Sequence, residues 1–171
     1  MSAPAHPAFA TAKFRKPLKS VSNSIQVRQA HIGDLAAIVP LFDAYRQFYR
    51  QSPDLELARS FLEERFHNKE SVIFIALAPD GSALGFTQLY PCFSSASARR
   101  IFILNDLFVT PEARRRKVGR ALLTAAADFG RDAGALRLAL STALDNFSAQ
   151  ALYESADWQR DKVFCTYTLP L

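Results

Sequence analysis

The 171-residue sequence has few glycines, few cysteines and no long apolar run. Its longest uninterrupted apolar stretch, residues 72–78, is much shorter than the roughly 20 residues of a membrane-spanning helix. Cys92 and Cys165 are far apart, so the sequence shows neither a disulfide framework nor a CxxC pair. These absences predict a protein without a transmembrane segment in a reducing, cytoplasmic setting.

Several catalytic signatures are also absent. The sequence has no glycine-rich dinucleotide or P-loop motif and no Gly-x-Ser-x-Gly elbow, which argues against nucleotide-binding folds and serine hydrolases of those types. His6, His31 and His67 are not paired with a cysteine or carboxylate at metal-ligand spacing, so we expect no metal site.

Acidic residues are missing from the beginning of the chain. No Asp or Glu precedes Asp34, whereas five Lys and Arg residues do, and the remainder has 16 residues of each sign. A neutral body argues against nucleic-acid binding, because such proteins carry a basic face on the folded domain. Residues 1–23 are predicted to be a flexible basic tail, although an acid-free start also resembles an organelle transit peptide. Residues 24–171 are predicted to form one domain.

The rest of the sequence is rich in apolar residues, at 49% of the whole chain, and its periodicity predicts an α/β fold. The expected order is β-α-α-β-β-β-α-β-α-β, with helices on both faces of a mixed sheet. An antiparallel meander forms the first half and a βαβ crossover the second. The predicted strands are residues 25–30, 72–78, 83–89, 101–109, 136–140 and 163–169. The predicted helices begin near Asp34, Asp54, Val118 and Ser148, and residues 33–34 are expected to provide the N-cap of the first helix.

The most informative segment is residues 103–123, where an apolar strand leads into a basic turn and then into a helix. Backbone N–H groups at such a turn bind anions together with the positive end of the helix dipole, and basic side chains add charge. An isolated basic run is otherwise most simply a solvated turn. The segment therefore predicts a phosphate site, with a solvated turn as the alternative.

This segment resembles motif A of the GNAT (GCN5-related N-acetyltransferase) superfamily, which binds the pyrophosphate of coenzyme A. Val109, Pro111, Arg114 and Gly119 match the motif, while Lys117 stands where its first glycine is usual. Because lysine adopts positive φ less easily than glycine, we expect a slightly altered turn. The resemblance implies acetyl-CoA as the acetyl donor, bound by Phe108, Val109, Arg114, Arg115, Arg116, Lys117, Val118, Gly119, Arg120 and Ala121.

A second block supports the resemblance. Residues 146–158 are similar to the family's motif B, with Asp157 and Trp158 in place of Gly-Phe. The resemblance implies that Asn146 binds the pantetheine arm of coenzyme A or orders the junction between strand and helix. Both blocks also resemble the branch that contains yeast histone and polyamine acetyltransferases.

Acetyl transfer needs a neutral amine, and deprotonating an alkyl amine at pH 7 costs roughly 4 to 5 kcal/mol. Asn105 and Asp106 interrupt an apolar strand, so Asp106 is a candidate base, directly or through water. Alternatively, neighbouring backbone N–H groups satisfy its carboxylate. Tyr153 matches the family tyrosine near the coenzyme sulfur and is a candidate acid, with packing in the core as the alternative.

The acceptor side is less clearly marked. By resemblance, residues 45–50 shape the amine pocket, with packing in the core as the alternative for their aromatic side chains. The segment 91–98 is a second candidate wall. We expect acetyl transfer to a primary amine of a small molecule by direct attack in a ternary complex. The alternatives are a protein acetyltransferase, acting on lysine or the N-terminus, and a non-catalytic CoA-binding module. We expect no nucleic-acid, membrane or metal partner, while the oligomeric state, a homodimer included, is left open.

Overall fold

The computed structural model of the chain describes residues 24–171. The predicted basic tail, residues 1–23, lies outside the described residues. No helix in the described part combines the length and apolar character needed to cross a bilayer. The elements are β1 Gln26–Gln29, α1 Leu35–Phe48, α2 Leu55–His67, β2 Val72–Leu77, β3 Ala83–Ser94, β4 Arg99–Val109, α3 Val118–Asp132, β5 Leu138–Ala139 and α4 Phe147–Glu154, with short 3-10 helices at Ile32–Asp34 and Pro111–Ala113.

The five strands form one mixed sheet in the order β1-β2-β3-β4-β5. Strands β1 to β4 are antiparallel neighbours, and β5 pairs in parallel with β4 after the crossover through α3. The predicted meander and βαβ crossover are confirmed. Because β5 pairs with β4 only at Leu138 and Ala139, the second half of β4 extends beyond the last strand.

Helices cover both faces of the sheet, as predicted. Along β2, Ile73 and Ile75 join the core beneath α1 and α2, whereas Phe74 and Ala76 join the core beneath α3. All four residues are buried. A strand covered on both faces needs apolar residues at successive positions, which explains the continuous apolar run over residues 72–78.

Several element ends differ from the prediction. Strands β3 and β4 extend towards each other, so the first half of the predicted loop 91–98 is strand and residues 95–98 form the turn. The partner strand supplies backbone hydrogen bonds that a local pattern does not reveal. Asp34 does not cap α1 through its side chain, because its carboxylate accepts hydrogen bonds from Arg28 and from the His31 backbone.

The predicted last strand, residues 163–169, is not a strand in the structure. Val163, Phe164, Tyr167 and Leu169 are each at least 82% exposed. An alternating segment forms a strand only when a sheet edge offers backbone partners, and the neighbouring edge strand β5 has just two residues. The predicted order is confirmed from β1 through α4.

Candidate active site

A cleft of about 870 Å³ opens where β4 continues past the end of β5. Its walls are the end of α1, the second half of β4, the turn before α3 with the first residues of α3, the segment after β5, and α4. Four basic side chains line it, namely Arg114, Arg115, Lys117 and Arg120, and no acidic residue of the described chain does. This large cleft therefore favours an anionic ligand.

The turn before α3 leaves a helix N-terminus open to the large cleft. Lys117 is the N-cap residue of α3, and no side chain caps the helix there. The first N–H groups of an α-helix have no intrahelical acceptor, so they are available to an anion. Lys117 adopts a φ of 65°, the left-handed conformation that glycine prefers, and Asp157 does the same at the second position where the motifs have glycine. Both residues thus keep the glycine-like backbone.

Most of the residues predicted to bind the acetyl donor do line the large cleft. Two do not: Arg116 and Ala121 line no described cavity. The Ala121 N–H donates to the Lys117 carbonyl within α3, at 3.0 Å, and is therefore not available to a ligand. The predicted residues that line the cleft are Phe108, Val109, Arg114, Arg115, Lys117, Val118, Gly119, Arg120, Asn146 and Tyr153.

Helix α4 is fixed against α3 at the edge of the cleft. The Asn146 side-chain oxygen accepts a hydrogen bond from the Ala149 N–H at 3.2 Å and so caps α4. Gly119 faces α4 closely, since a Cβ there would lie 3.0 Å from Leu152 Cδ2. Arg120 also donates to the Ser155 hydroxyl at 2.8 Å. Asn146 thus lies at the start of α4 as its N-cap residue, and these contacts together hold α4 beside α3.

Tyr153 lies on α4 and lines the large cleft. Its ring packs against Trp158 with centroids 6.2 Å apart, so it also contributes to local packing. Burial raises the pKa of the Tyr153 phenol, and the nearby Tyr49 adds to that rise. The phenol therefore remains protonated at neutral pH and can donate a hydrogen bond into the cleft.

Asp106 is a buried carboxylate held by two amide side chains. Gln88 Nε2 donates to one of its oxygens at 2.7 Å, and Asn105 Nδ2 donates to the other at 3.0 Å. Burial raises the pKa of the Asp106 carboxyl, while its hydrogen bonds, first of all the one from Gln88, oppose that rise. Side-chain donors, rather than the backbone N–H groups of the alternative interpretation, are the partners found for this carboxylate.

A β-bulge accounts for the polar pair in β4. Gln88 is opposite Asp106 and Leu89 is opposite Leu104, so Asn105 has no partner in the register with β3. The Tyr45 hydroxyl donates to the carbonyl of Asn105 at 3.2 Å. A bulge commonly redirects side chains near functional sites, and here it places two consecutive polar residues at the floor of the site.

Asp106 lines a second cavity of about 290 Å³, which we call the small cavity. Tyr45, Tyr49 and Asn105 line both cavities and form a shared wall. Asp106 thus lines the small cavity and Tyr153 lines the large cleft, and the two cavities adjoin at these three residues.

The two segments predicted to form the acceptor side differ in their position relative to the cavities. Tyr45, Arg46 and Tyr49 of the segment 45–50 line the small cavity, whereas no residue of 91–98 lines either cavity. Sequence reasoning missed Tyr90 and Gln88. Gln88 could have been found, because it and Thr87 interrupt an otherwise apolar strand.

The polar side chains of the described part include no group of three His, Cys, Asp or Glu residues that could hold a metal ion.

Comparison with known proteins places this architecture in a family. Residues 36–158 match the family model described as the acetyltransferase (GNAT) family. The chain is 50% identical over 145 residues to the uncharacterized N-acetyltransferase YhfO of Bacillus subtilis strain 168, with 85% of this chain and 97% of the relative covered.

Two further likenesses are informative. An aminoglycoside N(6')-acetyltransferase type 1 of Klebsiella aerogenes is 34% identical over 90 residues, which are 52% of this chain and 59% of the relative. The crystal structure of a probable acetyltransferase superposes with a TM-score of 0.82 at 46% identity, with 85% of this chain and 97% of that chain covered.

Proposed function

Because this chain belongs to the acetyltransferase (GNAT) family and is an N-acetyltransferase, we propose that it moves acetyl from acetyl-CoA to a primary amine of a small molecule. GNAT acetyltransferases use acetyl-CoA. The observation that carries the proposal is the large basic cleft at the uncapped N-terminus of α3. The aminoglycoside-modifying relative supports a small-molecule amine as acceptor.

The residues of the large cleft fit the donor. Arg114, Arg115 and Lys117 offer positive charge beside free N–H groups, which suits a pyrophosphate. Acetyl-CoA supplies the acetyl thioester. The cleft of about 870 Å³ is of a size that holds a large cofactor-like ligand.

In the proposed reaction the amine arrives as an ammonium ion and loses one proton to Asp106. A raised pKa makes the Asp106 carboxylate a stronger base than an ordinary one. The neutral nitrogen attacks the thioester carbonyl, a C–N bond forms and the C–S bond breaks. The second nitrogen proton neutralises the departing thiolate, which the Tyr153 phenol stabilises by donating a hydrogen bond. The products are the amide, the free thiol and one proton released from Asp106.

We propose direct attack of the amine, without an acetylated cysteine as intermediate. A covalent acetyl-enzyme would call for an activated nucleophile such as a thiolate. Neither Cys92 nor Cys165 lines the large cleft or the small cavity.

A thiol-release assay combined with binding tests the proposal. Thiol release should need both acetyl-CoA and an amine, and acetyl-CoA should raise Tm. Arg115→Glu should weaken acetyl-CoA binding by about 10-fold or more, because it reverses a charge that lines the cleft. Arg116→Glu is the matched control, because Arg116 is the next residue in the chain but lines neither cavity. This variant should change the affinity for acetyl-CoA much less. An unchanged Tm with acetyl-CoA, or no thiol release with any amine, would contradict the proposal.

A further inference from the structure

We propose that the small cavity accepts a compact monoamine with an aromatic or apolar body and no anionic group. This inference rests on the proposed function, because it names the acceptor of that reaction. It is carried by the size, the walls and the charge of the cavity.

The walls of the small cavity are largely aromatic. Phe42, Tyr45, Tyr49, Phe61 and Tyr90 line it, and the Phe42 and Phe61 rings stack at 5.3 Å between centroids. Aromatic walls favour an apolar or aromatic body, and their ring faces attract a cation. A volume of about 290 Å³ is at the lower end for small-molecule pockets, so one ring with a short chain fits better than several linked rings.

The charge of the two cavities matches a single ammonium group. Asp106 is the one acidic side chain among the described residues that line them. A second ammonium group would have no acidic partner there and would meet the basic side chains of the large cleft. Because an unpaired charge is costly to bury, polyamines and aminoglycosides are poor matches for this site.

The one basic side chain of the small cavity is already used in the fold. Arg46 Nη1 lies 3.1 Å from an oxygen of the buried Asp43 carboxylate and also reaches the carbonyls of Ser52 and Asp54. Arg46 thereby joins α1 to the start of α2, and Asp43 balances its charge. A substrate carboxylate would find no uncompensated positive charge in this cavity, which argues against amino acids.

An acceptor panel tests the substrate class at saturating acetyl-CoA. We expect kcat/KM for 2-phenylethylamine to exceed that for spermidine, kanamycin and phenylalanine by about 10-fold or more. Hexylamine should fall in between, since it has an apolar body without a ring. Equal or better use of spermidine, kanamycin or phenylalanine would overturn the inference and leave the proposed function standing. No release with any amine would overturn both.

A rim variant tests the location. Gln51 is exposed and lines only the small cavity, so Gln51→Trp should obstruct it without disturbing the core. KM for 2-phenylethylamine should rise about 10-fold while the Kd for acetyl-CoA stays unchanged. The control Glu63→Trp, on the exposed surface of α2 and outside both cavities, should alter neither value. An unchanged KM in folded Gln51→Trp would overturn the assignment of this cavity.

Discussion

At the scale of single residues, the buried carboxylate of Asp106 is unfavourable for stability but suits the base that we propose. It is 2% exposed and depends on amide donors from Gln88 and Asn105. A carboxylate placed there for stability alone would be a poor choice, because burial disfavours its charged form. The same burial makes it a stronger base, which is what amine deprotonation needs.

Asp106→Asn should reduce kcat/KM most strongly at neutral pH. A positioned general base contributes about 10²–10⁴-fold, and the loss should shrink as the pH approaches the pKa of the amine itself. The measurement is a pH profile of kcat/KM for both proteins at equal folded fraction. Parallel profiles would assign the base to another group.

Stability provides the control for Asp106→Asn. Because the Asp106 pKa is raised in the fold, the folded protein holds this proton more tightly than the unfolded chain does. The wild type should therefore lose stability relative to the Asn variant as pH rises from about 3.9, the ordinary value, through the raised folded pKa. Urea unfolding at several pH values measures this difference. A relative gain by the wild type over that window would mean that the carboxylate stabilises the fold.

Lys117 separates backbone strain from ligand binding. A left-handed conformation costs a non-glycine residue about 1–2 kcal/mol. Glycine avoids this strain but loses more conformational entropy on folding, so a substitution by glycine recovers only part of that free energy. Lys117→Gly should therefore gain about 0.5–1 kcal/mol of stability while weakening acetyl-CoA binding, because its ammonium is lost. Lys69→Gly is the matched control: Lys69 has a φ of 54° and lines neither cavity. It should gain similar stability with unchanged affinity. Unchanged affinity in Lys117→Gly would show that its ammonium does not face the ligand.

At the scale of elements, β4 and α4 form the site. Strand β4 continues beyond the end of β5, and the large cleft opens there. The bulge residue of β4, Asn105, lines the small cavity. Helix α4 closes the cleft and carries Tyr153, and its first turn depends on the cap from Asn146.

The α4 cap can be compared with that of α2. Asn146→Ala and Asp54→Ala each remove an N-cap acceptor, at 3.2 and 2.9 Å from its N–H donor, and each should cost about 1 kcal/mol. Only Asn146→Ala should also weaken acetyl-CoA binding, because α4 lines the large cleft. Urea unfolding and binding titrations measure both effects. An equal change in the affinity for acetyl-CoA in the two variants would show that donor binding does not depend on the cap of α4.

Local pattern predicted these elements well where the determining forces were local. Periodicity placed α3 and α4 within a residue or two, and α2 begins next to Asp54 as predicted, where the Asp54 side chain caps it. Whether a segment forms a strand also depends on a partner strand, which local pattern does not reveal. Strands β3 and β4 pair with each other and extend further than predicted, whereas residues 163–169 pair with no strand. The small cavity joins residues from α1, α2, β3 and β4, so its walls could not be assembled from neighbours in sequence.

At the scale of the whole molecule, two cavities of different character adjoin at three shared lining residues. A basic cleft suited to an anionic donor lies on one side, and an aromatic cavity with a single carboxylate lies on the other. Tyr45, Tyr49 and Asn105 line both. If the donor occupies the large cleft and the acceptor the small cavity, as we propose, both substrates are bound side by side at the same time, which direct attack requires.

The initial-velocity pattern tests this central claim most directly. Rates of thiol release would be measured over a grid of acetyl-CoA and 2-phenylethylamine concentrations, or with whichever amine the panel shows to be used best. Simultaneous binding in two adjoining cavities predicts double-reciprocal lines that intersect. Parallel lines, together with an acetylated enzyme isolated in the absence of amine, would show a covalent intermediate and contradict the account.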